Sequence, residues 1–262
     1  MFTIFLTLLI SYILLFLYSL KIRDNSIVDV FWGMGFMIIA VLSFYQSDMT
    51  LIQGVVTTLI CIWGIRIVSH IGLRKLTEWK EDPRYAKWRE EWGSGWYFYT
   101  RSFLQVYMVQ MVLMFIVAIP ILIVNIWPGF SENGLFRTSQ WLGQISLVIW
   151  ATVALGWLIF ETIADRQLRD FLKIKKPGQI FTTWLYRYSR HPNYFWESVF
   201  WLGISLIALP SSYLWLIGWI VITCLLLFVS GVPLQEARYR GRPEWEDYKA
   251  RTSVFIPWFS KK

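Results

Sequence analysis

The stretch from Arg187 to Glu197 carries the side chains of this chain that are best suited to binding chemistry. It reads RYSRHPNYFWE and lies at the start of an apolar run that begins near Phe195. Basic, aromatic and amide side chains here meet the positive end of a helix dipole, where unpaired N–H groups favour an anion. The stretch therefore predicts a site for a phosphate-bearing cofactor. A lipid-headgroup anchor made of Arg, Tyr and Trp is the simpler alternative.

A few charged residues fall inside apolar runs, where charge is costly and marks function. Asp29 begins one run, and Arg66 and His70 lie four residues apart on one face of another. A buried carboxyl favours its neutral form, so Asp29 is expected to donate a hydrogen bond to a developing oxyanion. A buried ion pair between Asp29 and Arg66 that only fixes helix packing is the structural alternative.

The elements that must position these residues are membrane helices. The 262 residues are 56% hydrophobic, and the mean hydropathy is +0.47. A helix needs roughly 20 apolar residues to cross a bilayer. Continuous rather than alternating runs exclude a closed barrel. The prediction is an all-α, polytopic membrane protein with seven transmembrane helices, forming one domain over residues 1–262. The predicted spans are Phe2–Leu20, Ile27–Tyr45, Leu51–Ile71, Phe103–Trp127, Trp141–Phe160, Phe195–Leu209 and Tyr213–Val232.

The basic residues predict the orientation of these spans. Every Lys and Arg except Arg66 and Arg137 lies after span one, three, five or seven. Because cytoplasmic loops carry the excess of Lys and Arg, the N-terminus is expected outside and the C-terminus in the cytoplasm. The net charge of +8 is then a property of one face, suited to membrane lipids. Nucleic acid is not expected as a partner.

Several kinds of site are not indicated. The chain has no Walker loop and no GxGxxG after a strand, so any nucleotide must be held by membrane helices and inner loops. Cys61 and Cys224 lie in apolar runs and two His residues are too few, so no metal centre is expected. Gly33 and Gly35 are expected to mark close contacts between helices.

The C-terminal half contains a set of residues in a characteristic order. They are Asp165, Arg169, Lys176-Pro177-Gly178, Tyr188, Asn193, Tyr194, Glu197, Trp201, Glu246-Asp247-Tyr248 and Ile256-Pro257. On this set the C-terminal half resembles the steroid 5-alpha-reductase family, and the whole chain looks like its short bacterial membrane relatives. The resemblance implies a protein of the bacterial inner membrane. A compact seven-span bundle is expected to serve as a monomer.

The resemblance implies an NADPH-dependent reduction of the 4,5 double bond of a 3-oxo-4-ene steroid or a similar enone lipid. The hydrophobic substrate would enter from the bilayer. Residues 1–101 would form the substrate side, and residues 102–262 would bind the cofactor. Asp29 would replace the family's substrate-facing glutamate, Arg66 would match a family arginine, and Trp63 would stand near the catalytic tyrosine. The implied and candidate cofactor-binding residues are Arg74, Arg101, Asp165, Arg169, Lys173, Tyr188, Arg190, His191, Asn193, Tyr194, Glu197, Trp201, Glu236 and Tyr239.

A membrane methyltransferase is the alternative enzyme. The RHPNY stretch with a later Glu and FIPW also resembles the isoprenylcysteine carboxyl and phospholipid methyltransferases, which use S-adenosylmethionine. Two departures weaken this interpretation: Trp196 stands where those enzymes have a small residue, and Gln235-Glu236 where they have an acidic pair. A sterol or lipid binder without catalysis on the same scaffold is a third interpretation.

Overall fold

The computed structural model describes residues 1–78, 80–126, 140–176, 178–208 and 214–259, without the side chains of residues 78, 140–144 and 146. The expectations for Trp127, Arg137, Pro177, Leu209 and Tyr213 lie outside these residues. Within these ranges every regular element is helical, as predicted. The α-helices are α1 (Phe2–Ile22), α2 (Ile27–Tyr45), α3 (Leu51–Glu78), α4 (Pro83–Trp92), α5 (Trp96–Arg101), α6 (Val109–Val117), α7 (Ile119–Ile126), α8 (Gln140–Ile174), α9 (Pro192–Ile207), α10 (Trp215–Cys224), α11 (Val232–Ala237) and α12 (Pro243–Arg251).

Six helical segments of the described chain are long and apolar enough to cross a membrane, the pattern of a multi-pass integral membrane protein. They match six of the seven predicted spans. The remaining predicted span, Phe195–Leu209, is the sixth in chain order and falls on α9, which has 16 residues and is shorter than the roughly 20 that a crossing needs. The six segments are Phe2–Ile22, Ile27–Tyr45, Leu51–Thr77, Trp96–Val117, Leu147–Ile174 and Trp215–Ala237.

Proline sets several of the helix boundaries, because it lacks an N–H and is tolerated only in a first turn. Pro192 begins α9, so the RHPNY stretch leads directly into that helix as expected. Pro120 lies at the start of α7, where the helix of span four is interrupted after Val117. Pro83 begins α4, and Asp82 caps it by accepting a hydrogen bond from the Arg84 N–H at 3.0 Å.

The fifth predicted span is longer than expected. The sequence predicted a membrane helix ending at Phe160 and a separate short helix after it, but α8 is one helix of 35 residues. The segment ETIADRQLRDFLK contains neither Gly nor Pro, so nothing in it interrupts the helix. The continuous helix places Asp165, Arg169 and Lys173 on one face at intervals of four residues.

The chain divides into two compact units, an N-terminal one of residues 1–140 with 208–214 and a C-terminal one of the remainder. In the N-terminal unit, α2 packs on α3 through glycines. A Cβ added to Gly33 would lie 2.7 Å from the Gly64 carbonyl oxygen, and one added to Gly35 would lie 2.3 Å from the Met114 sulfur. The expectation that Gly33 and Gly35 mark close helix contacts is therefore confirmed.

The C-terminal unit has its own core. Phe200, Trp201 and Ile204 of α9 are fully buried, and so is Ala154 of α8. The Cβ of Ala154 would lie 3.4 Å from a Cβ at Gly203, so α8 and α9 approach closely there. This packing fixes the two helices that carry half of the predicted cofactor-binding residues.

Candidate functional site

A hydrogen bond connects the first turn of α9, at Asn193, to the C-terminal part of α8, at Asp165. Asn193 Nδ2 donates a hydrogen bond to Asp165 Oδ1 at 3.3 Å. Asp165 is buried and Asn193 is half-buried. Buried polar groups need such partners, so the pair also helps to fix the register of the two helices.

Two helix faces extend from this contact. On α8, Asp165 is followed at four-residue intervals by Arg169 and Lys173, both exposed. Lys173 Nζ donates to Asp170 Oδ1 at 3.0 Å on the surface. On α9, Asn193 is followed at the same interval by Glu197, which is half-buried, and then by the fully buried Trp201. From the hydrogen-bonded pair, the face of α8 therefore leads to solvent-exposed cations, and the face of α9 leads into the core.

Arg190 and His191 both meet Glu236, which lies on α11. His191 Nε2 is 3.2 Å and Arg190 Nε is 3.0 Å from the same Glu236 oxygen. The Arg190 Nε–H is not aimed at that oxygen and has no hydrogen-bond acceptor in the described part of the chain. The ring of His191 stacks on that of Tyr194, with centroids 5.4 Å apart and 8° between the planes. Glu236 therefore offsets the Arg190 charge that the sequence assigned to a phosphate.

A pair of tyrosines, Tyr186 and Tyr248, lies near these residues and was not predicted to act there. Tyr248 donates a hydrogen bond from its hydroxyl to the Tyr186 carbonyl oxygen at 2.5 Å. Burial raises the pKa of Tyr186 well above its ordinary value, and the Asp165 charge adds to this rise. The buried Tyr186 hydroxyl has no hydrogen-bond partner among the residues described. The Tyr186 hydroxyl therefore stays neutral and can still donate a hydrogen bond to a ligand. Its only sequence signal was its place two residues before Tyr188.

Two other tyrosines that were predicted to bind the cofactor contact aromatic side chains instead. Tyr188 is 38% exposed, and its ring lies 6.2 Å from that of Phe259. Tyr239 stacks on Trp245, with centroids 5.0 Å apart. Their predicted roles at a cofactor rest on the sequence alone.

Asp29 lies in the N-terminal unit and is held by α4. The Tyr85 hydroxyl donates to Asp29 Oδ1 at 2.7 Å, and Arg84 Nη2 donates to Oδ2 at 2.8 Å. Burial raises the pKa of Tyr85 well above its ordinary value, and the charge of Asp29 raises it further. Burial lowers the pKa of Arg84, but its hydrogen bond to Asp82 and the charge of Asp29 raise it above its usual range overall.

These contacts favour an ionised Asp29 that accepts hydrogen bonds. They disfavour the role of Asp29 as a hydrogen-bond donor, which stays a prediction. Arg84 is an ion-pair partner that the sequence did not predict, because it lies 55 residues further along in a loop helix. Its signal would have been the Asp-Pro cap at the start of α4, which fixes Arg84 in a first helical turn.

The other predicted residues of the N-terminal unit lie in different surroundings. Trp63 is fully buried on α3 and packs edge-on against Phe36, with ring centroids 5.5 Å apart. Arg66 follows three residues later and is half-buried, and Arg74 is exposed near the end of α3. Arg101 donates from Nε to the Tyr97 hydroxyl at 3.1 Å. Arg74 and Arg101 thus belong to a different compact unit from the other predicted cofactor residues.

The residues of the C-terminal unit fit a phosphate-bearing dinucleotide in their chemistry. An amide and a carboxylate one helical turn apart, Asn193 and Glu197, can donate to and accept from a carboxamide. The buried Tyr186 hydroxyl offers a further hydrogen bond, and exposed Arg169 and Lys173 can meet phosphates. No cluster of His, Cys, Asp and Glu that would hold a metal occurs in the ranges that the structure covers.

Comparison with known families gives one match. Residues 15–252 match the model of DUF1295, a family described as proteins of unknown function, and the chain belongs to this family. The match covers most of both compact units. Searches of curated proteins and of solved structures found no match.

Proposed function

We propose that this DUF1295 family member is an NADPH-dependent membrane reductase that saturates the double bond of an enone lipid, such as a 3-oxo-4-ene steroid. The hydrogen bond between Asn193 and Asp165 is the observation that carries the proposal. It joins two motifs that are separate in the sequence and that together resemble the reductase family. A plain lipid anchor gives no reason for an amide and a buried carboxylate to meet at the start of a helix.

In the proposed topology the chain crosses the membrane seven times. The crossing in addition to the six long apolar segments is α9, with its first turn at the cytoplasmic side. The N-terminus would be outside and the C-terminus in the cytoplasm, because this orientation puts nearly all Lys and Arg inside. A water-soluble dinucleotide would then reach α8 and α9 from the cytoplasm.

Different side chains of the C-terminal unit would bind different parts of the cofactor. Asp165 orients the Asn193 amide, and Asn193 with Glu197 would hold the nicotinamide carboxamide. Arg169 and Lys173 would meet the phosphates, with Arg169 offering a bidentate fork. Arg190 would contribute less charge than the sequence suggested, because Glu236 already offsets it. NADPH, when bound, supplies a hydride.

The reaction saturates the enone in two additions. The hydride would add to the β-carbon while the electron pair of the double bond moves toward the carbonyl oxygen to give an enolate. The carbonyl would re-form as the α-carbon takes a proton that comes from water, so that one hydride and one proton are consumed. The enone oxygen needs a hydrogen-bond donor while it carries negative charge. Asp29 stays the predicted donor, although its contacts with Arg84 and Tyr85 favour its ionised form.

A membrane methyltransferase remains the second candidate, and one contact favours it. Glu236, which follows the predicted last span Tyr213–Val232, contacts both Arg190 and His191 of the RHPNY stretch. A late acidic residue beside this stretch is part of the resemblance to the methyltransferases. Trp196 counts against this candidate, because its ring stacks on Trp157 at 4.0 Å where those enzymes carry a small residue.

Cofactor binding tests the proposal directly. The full chain is purified in detergent, and energy transfer from its tryptophans to NADPH is measured beside a parallel titration with S-adenosylmethionine. We expect micromolar NADPH binding that weakens roughly tenfold or more in Asn193→Ala and Glu197→Ala, since each removes a half-buried group that would form a hydrogen bond with the cofactor. Gln105→Ala, which removes an exposed amide of the N-terminal unit, is the control and is expected to bind like the wild type. Binding of S-adenosylmethionine alone would make the methyltransferase the leading candidate.

A further inference from the structure

A pocket of about 420 Å³ lies between the start of α9 and the segment that follows α12. Three basic residues, Arg190, Lys249 and Arg251, line it, and none of the described residues in its wall is acidic. Trp258 and Phe259 complete the lining and are 69% and 79% exposed. We call this feature the tail pocket. Its volume is typical of small-molecule sites.

Backbone and side-chain hydrogen bonds form the tail pocket in advance of any ligand. The Arg190 N–H donates to the Ser253 carbonyl oxygen at 2.8 Å, and the Trp258 N–H donates to the Tyr188 carbonyl oxygen at 2.9 Å. The hydroxyl of Ser189 donates to the Phe255 carbonyl oxygen at 2.8 Å. These bonds fasten residues 253–258 to the stretch before α9. A ligand would therefore lose little free energy in ordering the pocket.

Arg190 supplies the deepest positive charge of the tail pocket. Its side chain is 8% exposed, and Glu236 lies 3.0 Å from Nε. Nη1 donates to the Lys249 carbonyl oxygen at 3.1 Å, whereas the Nε–H has no acceptor within the described ranges. The Arg190 guanidinium is therefore already held in place at the pocket before any anion binds.

Lys249 and Arg251 each form a surface ion pair. Lys249 Nζ is 3.9 Å from a Glu246 oxygen, and Arg251 Nη2 is 2.7 Å from an Asp247 oxygen. All four side chains are about half exposed or more. Exposed pairs of this kind contribute little free energy, so an anion in the pocket can compete for both cations.

Apolar side chains beside the cations indicate what kind of anion fits. Val254, Ile256, Trp258 and Phe259 are all exposed, four apolar residues within six positions. Such a patch is unfavourable in water but suits the boundary between headgroups and acyl chains, where Trp is enriched.

We propose that the tail pocket binds the phosphate of an anionic phospholipid, with Trp258 and Phe259 against its glycerol and acyl chains. Arg190, Lys249 and Arg251 would contact the phosphate. This site goes beyond the proposed cofactor, because neither Lys249, Arg251 nor Trp258 belongs to the residues assigned to NADPH. It would attach the C-terminal segment to the cytoplasmic leaflet and select lipids by charge.

Lipid binding to the purified full chain tests the proposal. Native mass spectrometry in detergent measures retention of phosphatidylglycerol and of phosphatidylcholine, with inorganic phosphate as a competitor. We expect a preference for phosphatidylglycerol that falls about thirtyfold in the double variant Lys249→Gln/Arg251→Gln, since each basic residue near anionic lipid contributes roughly a five- to sixfold factor. The matched control Lys80→Gln/Lys87→Gln also removes two exposed charges and is expected to keep the preference.

A second variant, Trp258→Ala, tests the lipid assignment without changing charge. It is expected to weaken phosphatidylglycerol retention severalfold and to leave competition by inorganic phosphate unchanged. Equal retention of the two lipids by the wild type would overturn the proposal, and so would an equal loss in the lysine control.

NADPH titrations of the same variants separate this site from the cofactor site. The double variant is expected to bind NADPH like the wild type. A loss of NADPH binding with unchanged lipid retention would assign the pocket to the cofactor and overturn the lipid proposal. Lipid selectivity in a wild-type protein that does not bind NADPH would support the tail pocket and contradict only the reductase.

Discussion

Asn193 Nδ2 lies 3.3 Å from Asp165 Oδ1, although 28 residues separate them in the sequence. The contact requires α8 to continue as a helix to Asp165 and α9 to begin at Pro192. It therefore depends on one long helix and one proline-initiated helix at once. The amide is held by a carboxylate, which leaves its carbonyl oxygen available to accept from a ligand.

Replacing Asn193 by Asp tests this contact with almost no change in shape. Two carboxylates would then face each other at about the present distance, and like charges so close destabilise the fold. We expect Asn193→Asp to lower the unfolding temperature in detergent more than Asn193→Ala does, and to weaken NADPH binding at least as strongly. Equal unfolding temperatures for the two variants would argue that Asp165 does not carry its charge beside Asn193.

Asp29 can be tested as a donor against its role as an ion-pair partner. If Asp29 donates to the enone, Asp29→Asn loses turnover while it keeps NADPH affinity. Arg84→Gln removes the cation but keeps the carboxyl group, so it should retain turnover under the same hypothesis. Turnover is measured with a 3-oxo-4-ene steroid, and unfolding temperature is recorded for both variants. Full turnover in Asp29→Asn would remove this residue from the mechanism.

The paired tyrosines predict a loss of stability in alkaline solution. Burial raises the pKa of Tyr248 and of Tyr186 above the ordinary value of 10.0. Below that pH both states keep these protons, whereas above it the unfolded chain releases them and the folded chain does not. The free energy of unfolding therefore falls as the pH rises above about 10.

Tyr248→Phe isolates this contribution. The variant should be less stable by about 1 kcal/mol at neutral pH, because it loses the hydrogen bond to Tyr186. Its stability should also fall less steeply with pH in thermal unfolding between neutral and alkaline buffers. Tyr99→Phe, at an exposed position, is the control and should keep the wild-type slope. An unchanged slope in Tyr248→Phe would contradict the assignment.

The close contact between α2 and α3 predicts that replacing glycine by alanine destabilises the protein at Gly33 but not at Gly156 of α8. Gly33→Ala would place a Cβ 2.7 Å from the Gly64 carbonyl oxygen, so the helices must separate and the unfolding temperature should fall. Gly156 on α8 has nothing within 4 Å of a new Cβ. Gly156→Ala should therefore be neutral or stabilise by up to about 1 kcal/mol through helix propensity. Thermal unfolding in detergent compares the two, and a tolerated Gly33→Ala would contradict the close packing.

The helical elements could be predicted because membrane helices are encoded locally. Long apolar runs identified the six segments that are able to cross a membrane, and Pro192 marked the start of α9. The continuity of α8 past Phe160 was not predicted, because falling hydropathy after Phe160 indicates the end of a membrane span but does not interrupt a helix.

The candidate site was predictable only where residues share a helix. Asp165, Arg169 and Lys173, like Asn193, Glu197 and Trp201, follow from a four-residue interval once the helix is known. The partners of Asp29 and of Arg190 did not follow. Arg84 and Glu236 lie 55 and 46 positions away, and which charged residues meet depends on how loop helices fold back.

The sequence by itself determined that the chain is helical, apolar enough for a membrane, and strongly basic between alternate spans. These properties depend on composition and on the neighbours within a few residues, which are fixed before any folding. Only the tertiary structure decided that Glu236 meets Arg190 and His191, that Arg84 holds Asp29, and that Asn193 meets Asp165. Such contacts depend on packing between distant segments, where many pairings of opposite charge are compatible with one sequence and steric fit selects among them.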